Sequence, residues 1–231
     1  MPLHEAFSDP EVMRYWYAPC RCAWKTFLTH PYRSSLPHKD LAQSESWISS
    51  MIDSSQNGLT DFIICLRDPS SPDQLTPIGK IGVYSGPPSN EVGFLIAKRH
   101  WRKGLAGEAM SHTLEYLFGL KSPVSPNADD SGSKKYVETE ARASSPAEQF
   151  TGLMWKQAKG EWQYPSITAD TDPRNTASIG LLRKAGFVES GYLKRSMQIG
   201  GEDGKWVDSL YLRLDRDVWL SRNAGQAARG R

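Results

Sequence analysis

The segment that most constrains this chain is Glu91-Val92-Gly93-Phe94-Leu95-Ile96, followed by Trp101-Arg102-Lys103-Gly104-Leu105-Ala106-Gly107-Glu108-Ala109. In the first stretch Val92, Phe94 and Ile96 share one face of a strand, while Glu91, Gly93 and Leu95 share the other. From Gly104 the period changes. Ala106, Met110, Leu114 and Leu117 recur at three- to four-residue spacing and predict an amphipathic helix to about Phe118. A strand therefore runs through a glycine-bearing turn into a helix. The start of a helix offers unpaired N–H groups and the positive end of its dipole, and Gly104 and Ala106 let an anion approach the backbone closely. Arg102 and Lys103 add positive charge, which makes the turn a candidate diphosphate cradle. It contains neither GxGxxG nor GxxxxGK followed by Ser or Thr, so it is neither a dinucleotide fingerprint nor a triphosphate loop. In isolation it reads first as an ordinary strand-to-helix connection, and the rest of the chain has to decide.

Ser8-Asp9-Pro10-Glu11 has the pattern of a helix start, with Ser8 or Asp9 as N-cap, and predicts a short helix through about Tyr17. Leu41 to Ile52 reads as a second helix carrying Trp47, Ile48 and Met51. Asp61 to Arg67 and Ile78 to Tyr84 are β-prone runs on either side of the breaker Asp68-Pro69-Ser70-Ser71-Pro72-Asp73, and predict neighbouring antiparallel strands. Residues 121–135, loaded with Ser, Pro, Asn, Asp and Gly, read as a loosely attached insertion continuing to about 164, within which Pro146 to Ala158 has the composition of an extra helix. Ser166 to Ala169 reads as a strand, and Thr176 to Ala185 as a helix closed by Gly186. Tyr192 to Ile199 and Trp206 to Leu214 flank a glycine-rich turn as a closing hairpin, with Leu210, Leu212 and Leu214 inward. The expected organisation is one domain over 1–220, a partly disordered insertion at about 121–164, and a flexible tail over 221–231.

The Glu91 to Ala109 block resembles the acetyl-CoA signature of the GNAT superfamily. Asn175-Thr176-Ala177-Ser178, Leu181-Leu182-Arg183-Lys184-Ala185-Gly186-Phe187 and Ser8-Asp9-Pro10-Glu11-Val12 sharpen that likeness toward the RimJ/RimL-like branch, and the blocks stand in the family's order. The resemblance implies an α/β (α+β) fold, with a mixed, mostly antiparallel central sheet flanked by helices and splayed where acetyl-CoA enters. It implies an acyltransferase, an acetyl-CoA-dependent N-acetyltransferase that moves the acetyl group to a primary amine by direct attack in a ternary complex, with acetyl-CoA as co-substrate and no metal. The diphosphate would fall to Arg102, Lys103, Gly104, Leu105, Ala106 and Gly107. The pantetheine arm would lie along the backbone of Phe94, Leu95 and Ile96. Asn175 matches a pantetheine-binding residue, with Ser178 one helical turn on. Read from the residues alone, Asn175 is equally a helix cap, and the two roles are compatible.

Four departures from the family pattern stand out. Trp101 stands where Gln or Arg is usual, as it does in relatives of the branch, and Arg102 stands where a second glycine is common. The family's first strand has no counterpart ahead of Ser8 in a chain beginning at Met1, so the sheet is expected to be a strand short or to use another segment there, or the sequence to be truncated at its start. Position 182, where many members carry a tyrosine that protonates the departing thiolate, is Leu182. Tyr192, Tyr211 and Ser178 remain as donors, and a thiol pKa of about 8.5 makes the thiolate a tolerable leaving group.

Transfer requires a neutral amine, yet a lysine amine titrates near about 10.4 and an α-amine near about 8, so a base is needed. Glu91 resembles the strand glutamate that several members use. A solvated glutamate or a structural ion pair is the alternative reading of the same residue. The competing function on this fold is a catalytically inactive acyl-CoA-binding or protein-interaction module, to which Leu182 and the missing strand point, whereas Glu91 points to the enzyme.

Composition closes off other classes. A formal charge of +2 from 28 basic and 26 acidic residues provides no large field for nucleic acid. No apolar run approaches the roughly 20 residues a membrane span needs. Three cysteines in a chain of this size indicate a reducing compartment, hence cytoplasm or nucleus. Cys20-x-Cys22 lacks a second pair at zinc spacing, and the five histidines have no evident nucleophile to serve. Trp16, Trp24, Trp47 and Tyr15 either line a substrate pocket or pack in the core. The expected partners are acetyl-CoA and an amine-bearing substrate; protein N-termini, lysines, polyamines, amino sugars and drug-like amines all stay open, as does a homodimer.

Overall fold

The structure is a computed structural model and describes residues 2–18, 36–54, 59–68, 70–86, 89–118, 164–199 and 205–227. Its strands are β1 (Tyr17–Ala18), β2 (Leu59–Asp68), β3 (Ser71–Gly86), β4 (Ser89–Ile96), β5 (Ser166–Thr171), β6 (Val188–Ile199) and β7 (Trp206–Asp215). Its helices are α1 (Pro2–Ser8), α2 (Leu41–Ser54), α3 (Leu105–Leu117), α4 (Thr176–Ala185) and α5 (Arg216–Ala227). The strands form one seven-stranded sheet in the order β1-β6-β7-β5-β4-β3-β2. Every neighbouring pair is antiparallel except β4 and β5, which run parallel. This is the mixed, mostly antiparallel sheet the sequence implied.

Period-two alternation assigns each strand its faces. Ile81 and Val83 of β3, Val92 of β4, Ile167 and Ala169 of β5, and Leu210, Leu212 and Leu214 of β7 all point into one core. Met110, Leu114 and Leu117 of α3, Ile179 and Leu182 of α4, and Trp219 of α5 cover it. The opposite face is covered by a smaller cluster of Leu3, Ala6 and Phe7 from α1, Trp47 from α2, and Leu95. The Ser44 hydroxyl ties these two helices together, with Nδ1 of His4 and Nδ1 of His38 each 2.8 Å away.

Several expectations need correction. The helix expected from Ser8 to Tyr17 does not form; the helix occupies Pro2–Ser8 instead. Asp9 does cap a turn, accepting the N–H of Glu11 at 2.7 Å, and Met13 N–H reaches Asp9 O at 3.0 Å. That turn does not propagate, and the chain enters β1 beside β6. The tail expected from 221 is helical through Ala227, because Trp219 anchors α5 in the first core. Tyr164, expected inside the insertion, is buried, and its hydroxyl lies 3.2 Å from Thr60 Oγ1. The rest of the insertion, including Pro146 to Ala158, lies outside the described residues, as do Cys20, Cys22 and Trp24. Among the described residues no helix is long and apolar enough to cross a membrane.

Candidate active site

The parallel junction is where the sheet opens. β4 and β5 register at a single pair, Glu91 with Thr168, whereas β5 pairs with β7 along its whole length from Ser166 to Thr171. β4 meanwhile stays with β3 up to Ile96. Two side chains fasten the closed end: Thr168 Oγ1 donates to Asn90 O at 3.1 Å, and Asn90 Nδ2 to Ser166 O at 3.4 Å. Beyond Thr168 the strands diverge, the central splay the resemblance implied.

Backbone parity then decides which groups face the gap. Ala97 N–H donates to Ile78 O at 2.8 Å, so the main chain of Leu95 and Gly93 is directed to β3, and that of Phe94 and Ile96 toward β5. Of the three residues expected along pantetheine, Leu95 instead turns its backbone to β3 and its side chain into the smaller core. Trp101 also gains a physical role here: its indole Nε1–H donates to Ile96 O at 2.7 Å, closing the last carbonyl on the gap side.

A single 3-10 turn, Lys98–His100, leads from β4 to the cradle. Arg102 adopts φ 58° and Gly104 φ 83°, two left-handed residues in a three-residue stretch, an arrangement that turns successive N–H groups toward one side. No side chain caps the start of α3 at Gly104. A Cβ placed on Gly104 or Gly107 would meet nothing within 4 Å. Arg102 and Lys103 are exposed. Open glycine faces, uncapped amides and two cations suit a diphosphate, so the residues present fit the CoA moiety at this turn. Asn175 takes its capping role: its side-chain carbonyl accepts the Ser178 N–H at 3.2 Å.

Glu91 lies on the α1/α2 face of the sheet. Burial, and then the Asp170 charge, push its carboxyl up to about 8. The Tyr211 phenol is also pushed up, by burial first and then by Asp170, with Glu91 a further contributor. Leu182 is buried in the first core, so no acid stands there. Of the three alternative donors, Tyr192 gives its hydroxyl to Asp208, Ser178 meets Asn175 through its backbone N–H, and Tyr211 is the one whose phenol interacts with Glu91.

On the β3 side of Glu91 stands a buried ammonium. Lys80 Nζ is 2.7 Å from Asp61 Oδ1, hydrogen-bonds the Tyr84 hydroxyl, and lies 4.9 Å from the ring centroids of Trp47 and Tyr84 and 6.0 Å from that of Trp16. Burial pulls its pKa down, but Tyr84 and Asp61 outweigh it and the net direction is up. Sequence reasoning missed Asp170, Lys80 and Asp61. The signal was present for Asp170, since the alternation of Ile167, Ala169 and Thr171 against Ser166, Thr168 and Asp170 sets it on the polar face.

A sheet splayed at one parallel pair, beside an uncapped helix start of this kind, defines an acyl-CoA transferase fold. The chain belongs to the GNAT acetyltransferase family: the family model "Acetyltransferase (GNAT) domain" matches residues 1–188. Among solved structures it is similar to a GNAT-family acetyltransferase from Bacillus anthracis, with 18% identity, TM-score 0.55, and 93% of this chain and 87% of that chain covered. It is similar to a ribosomal-protein-S5-alanine acetyltransferase from Vibrio fischeri, with 16% identity, TM-score 0.52, and 94% and 88% covered. It is also similar to a mutant of the spermidine N-acetyltransferase SpeG from Vibrio cholerae, with 17% identity, TM-score 0.50, and 86% and 89% covered. At these identities the likeness is one of fold. No curated protein sequence matches the chain.

Proposed function

We propose that this protein is an N-acetyltransferase of the RimJ/RimL-like branch, moving the acetyl group of acetyl-CoA to a primary amine by direct attack in a ternary complex. The observation that carries the reading is the parallel strand pair that opens directly after Glu91 and leads into the left-handed Arg102 to Gly104 turn. Arg102, Lys103 and the amides of Gly104, Leu105, Ala106 and Gly107 hold the diphosphate. The main chain of Phe94 and the N–H of Ile96 pair with the pantetheine arm, and Asn175 and Ser178 close its other side. Glu91 takes the proton from the amine, whose lone pair attacks the thioester carbonyl; the C–S bond breaks and the CoA thiolate departs with the electron pair. Tyr211, whose phenol interacts with Glu91, is the proposed proton donor, and its raised pKa keeps it protonated at neutral pH. The branch assignment rests on Trp101, the Asn175 to Ser178 block and the Leu181 to Phe187 block.

The test is release of free CoA thiol from acetyl-CoA across a panel of amines. Turnover is expected, with kcat/KM rising as Glu91 ionises through about pH 8. Glu91→Gln should lower the rate by about 10²-fold or more while preserving acetyl-CoA binding. Tight acetyl-CoA binding without turnover would favour the binding-module reading, for which the buried Leu182 is the specific observation.

A further inference from the structure

The face that carries Glu91 is unequal on its two sides. Toward β3 it is filled. Tyr84 is the cross-strand partner of Glu91, and its ring comes within 3.1 Å of where a Cβ on Gly93 would stand, with Trp16 at 3.8 Å. The Asp61–Lys80 pair lies across Gly82, where a Cβ would come 1.9 Å from Asp61 Oδ1. Lys80, paired with Asp61 and Tyr84, fills this side with a cation. Toward β5 and β7 the same face carries Asp170, Ser209 and Tyr211. Asp170 is two residues beyond Thr168, which pairs with Glu91, and sits directly across from Tyr211. The Tyr211 hydroxyl engages Asp170. Ser209 is fully buried, and its Oγ lies beside the Tyr211 hydroxyl.

We propose that Asp170, with Ser209 and Tyr211, forms the acceptor-recognition wall, and that the acceptor is a protonated alkylamine whose ammonium is held between Glu91 and Asp170. This deepens the acetyltransferase reading and rests on it. An alkylammonium brings three N–H donors, and the Glu91 and Asp170 carboxylates and the Ser209 hydroxyl supply three acceptors. Two neighbouring buried carboxyls resist double ionisation, so the free site retains a proton where the ammonium goes. The entering cation replaces that proton, which passes to solvent. Glu91, now ionised, then takes one proton from the ammonium and frees the lone pair that forms the N–C bond; as the C–S bond breaks, the second N–H proton is lost to the departing CoA thiolate, which leaves as the thiol. The ionisable groups facing Glu91 are Asp170 of β5, Tyr211 of β7, and Tyr84 and Lys80 of β3, with Lys80 matched by Asp61 of β2. In the row of Thr168 stands Arg213 of β7, which is paired with Asp215.

The experiment compares a straight-chain alkylamine with an arylamine that is neutral at the assay pH, using wild type, Asp170→Asn and Ser209→Ala. Wild type should favour the alkylamine in kcat/KM. Asp170→Asn should lower that preference at least about tenfold, chiefly through KM, and move the acid limb of the kcat/KM profile to lower pH as Glu91 loses a like-charged neighbour. Ser209→Ala, a smaller change in a folded background, should lower the preference in the same direction. Calorimetry in two buffers of different ionisation enthalpy should show proton release when the alkylamine binds. An unchanged preference and an unmoved acid limb would overturn the recognition role while leaving acetyl transfer in place. Failure to release CoA with every amine would overturn the acetyltransferase reading as well.

Discussion

Glu91 joins two physical demands in one residue. Its carboxyl ionises near 4.5 in an unfolded chain, and burial followed by Asp170 raises it to about 8 in the fold. Between those values the folded state binds more protons than the unfolded state, so this group makes stability fall as pH rises from about 4.5 to about 8. Glu91→Gln removes that dependence. The melting temperature of the variant minus that of wild type should therefore grow by several degrees between pH 5 and pH 9; a difference that stays flat across that range would refute the buried, carboxylate-coupled setting. The candidate base was legible in the sequence because it sits at a fixed place ahead of a recognisable turn. For Asp170 the alternation of its strand gave only the polar face, because its importance comes from a strand 79 positions downstream of Glu91 being laid beside β4. Trp101 was visible as a departure from the family pattern, but its partner, the Ile96 carbonyl, emerges only once backbone parity is known.

At the scale of elements, legibility followed local chemistry. α4 begins and ends where the sequence indicated, at Thr176 and Ala185, because both ends are set by adjacent residues: the Asn175 cap and Gly186 at φ 102°. Asn175→Ala should destabilise the fold by about 1 kcal/mol, measured by urea denaturation, whether or not CoA is present. A further loss confined to CoA affinity would report its second, pantetheine-directed role. α1 shows the converse. Asp9 supplies a sound local start signal, yet the helix lies ahead of it, because Leu3, Ala6 and Phe7 bury against Trp47 and Leu95 across the smaller core. Tertiary burial outweighs a cap worth about 1 kcal/mol. The hairpin of β6 and β7 was legible from its glycine-rich connection, whereas the bulges between Glu189 and Gly191 and between Leu193 and Met197, near the left-handed Arg195, were not.

The whole molecule is built as two cores on opposite faces of one sheet, and the smaller one packs around a charge. Lys80 is fully buried and Asp61 nearly so, in a setting where either charge alone is strongly disfavoured. Lys80→Met should destabilise the protein by about 3–5 kcal/mol, whereas Lys80→Met combined with Asp61→Asn should recover much of the loss, as read from denaturant midpoints. Equal destabilisation in both variants would mean the lysine stem matters, and not the pairing. The single rung between Glu91 and Thr168 has a mechanical meaning as well. It leaves β2–β4 and β5–β7 as two ribbons joined by one rung and the Asn90 and Thr168 side-chain bonds, with α3 and α4 packed side by side over the core that both ribbons share. Both helices begin at the mouth of that opening, α3 after Gly104 and α4 after Asn175, so the packing that fills the larger core also fixes the two edges of the cleft.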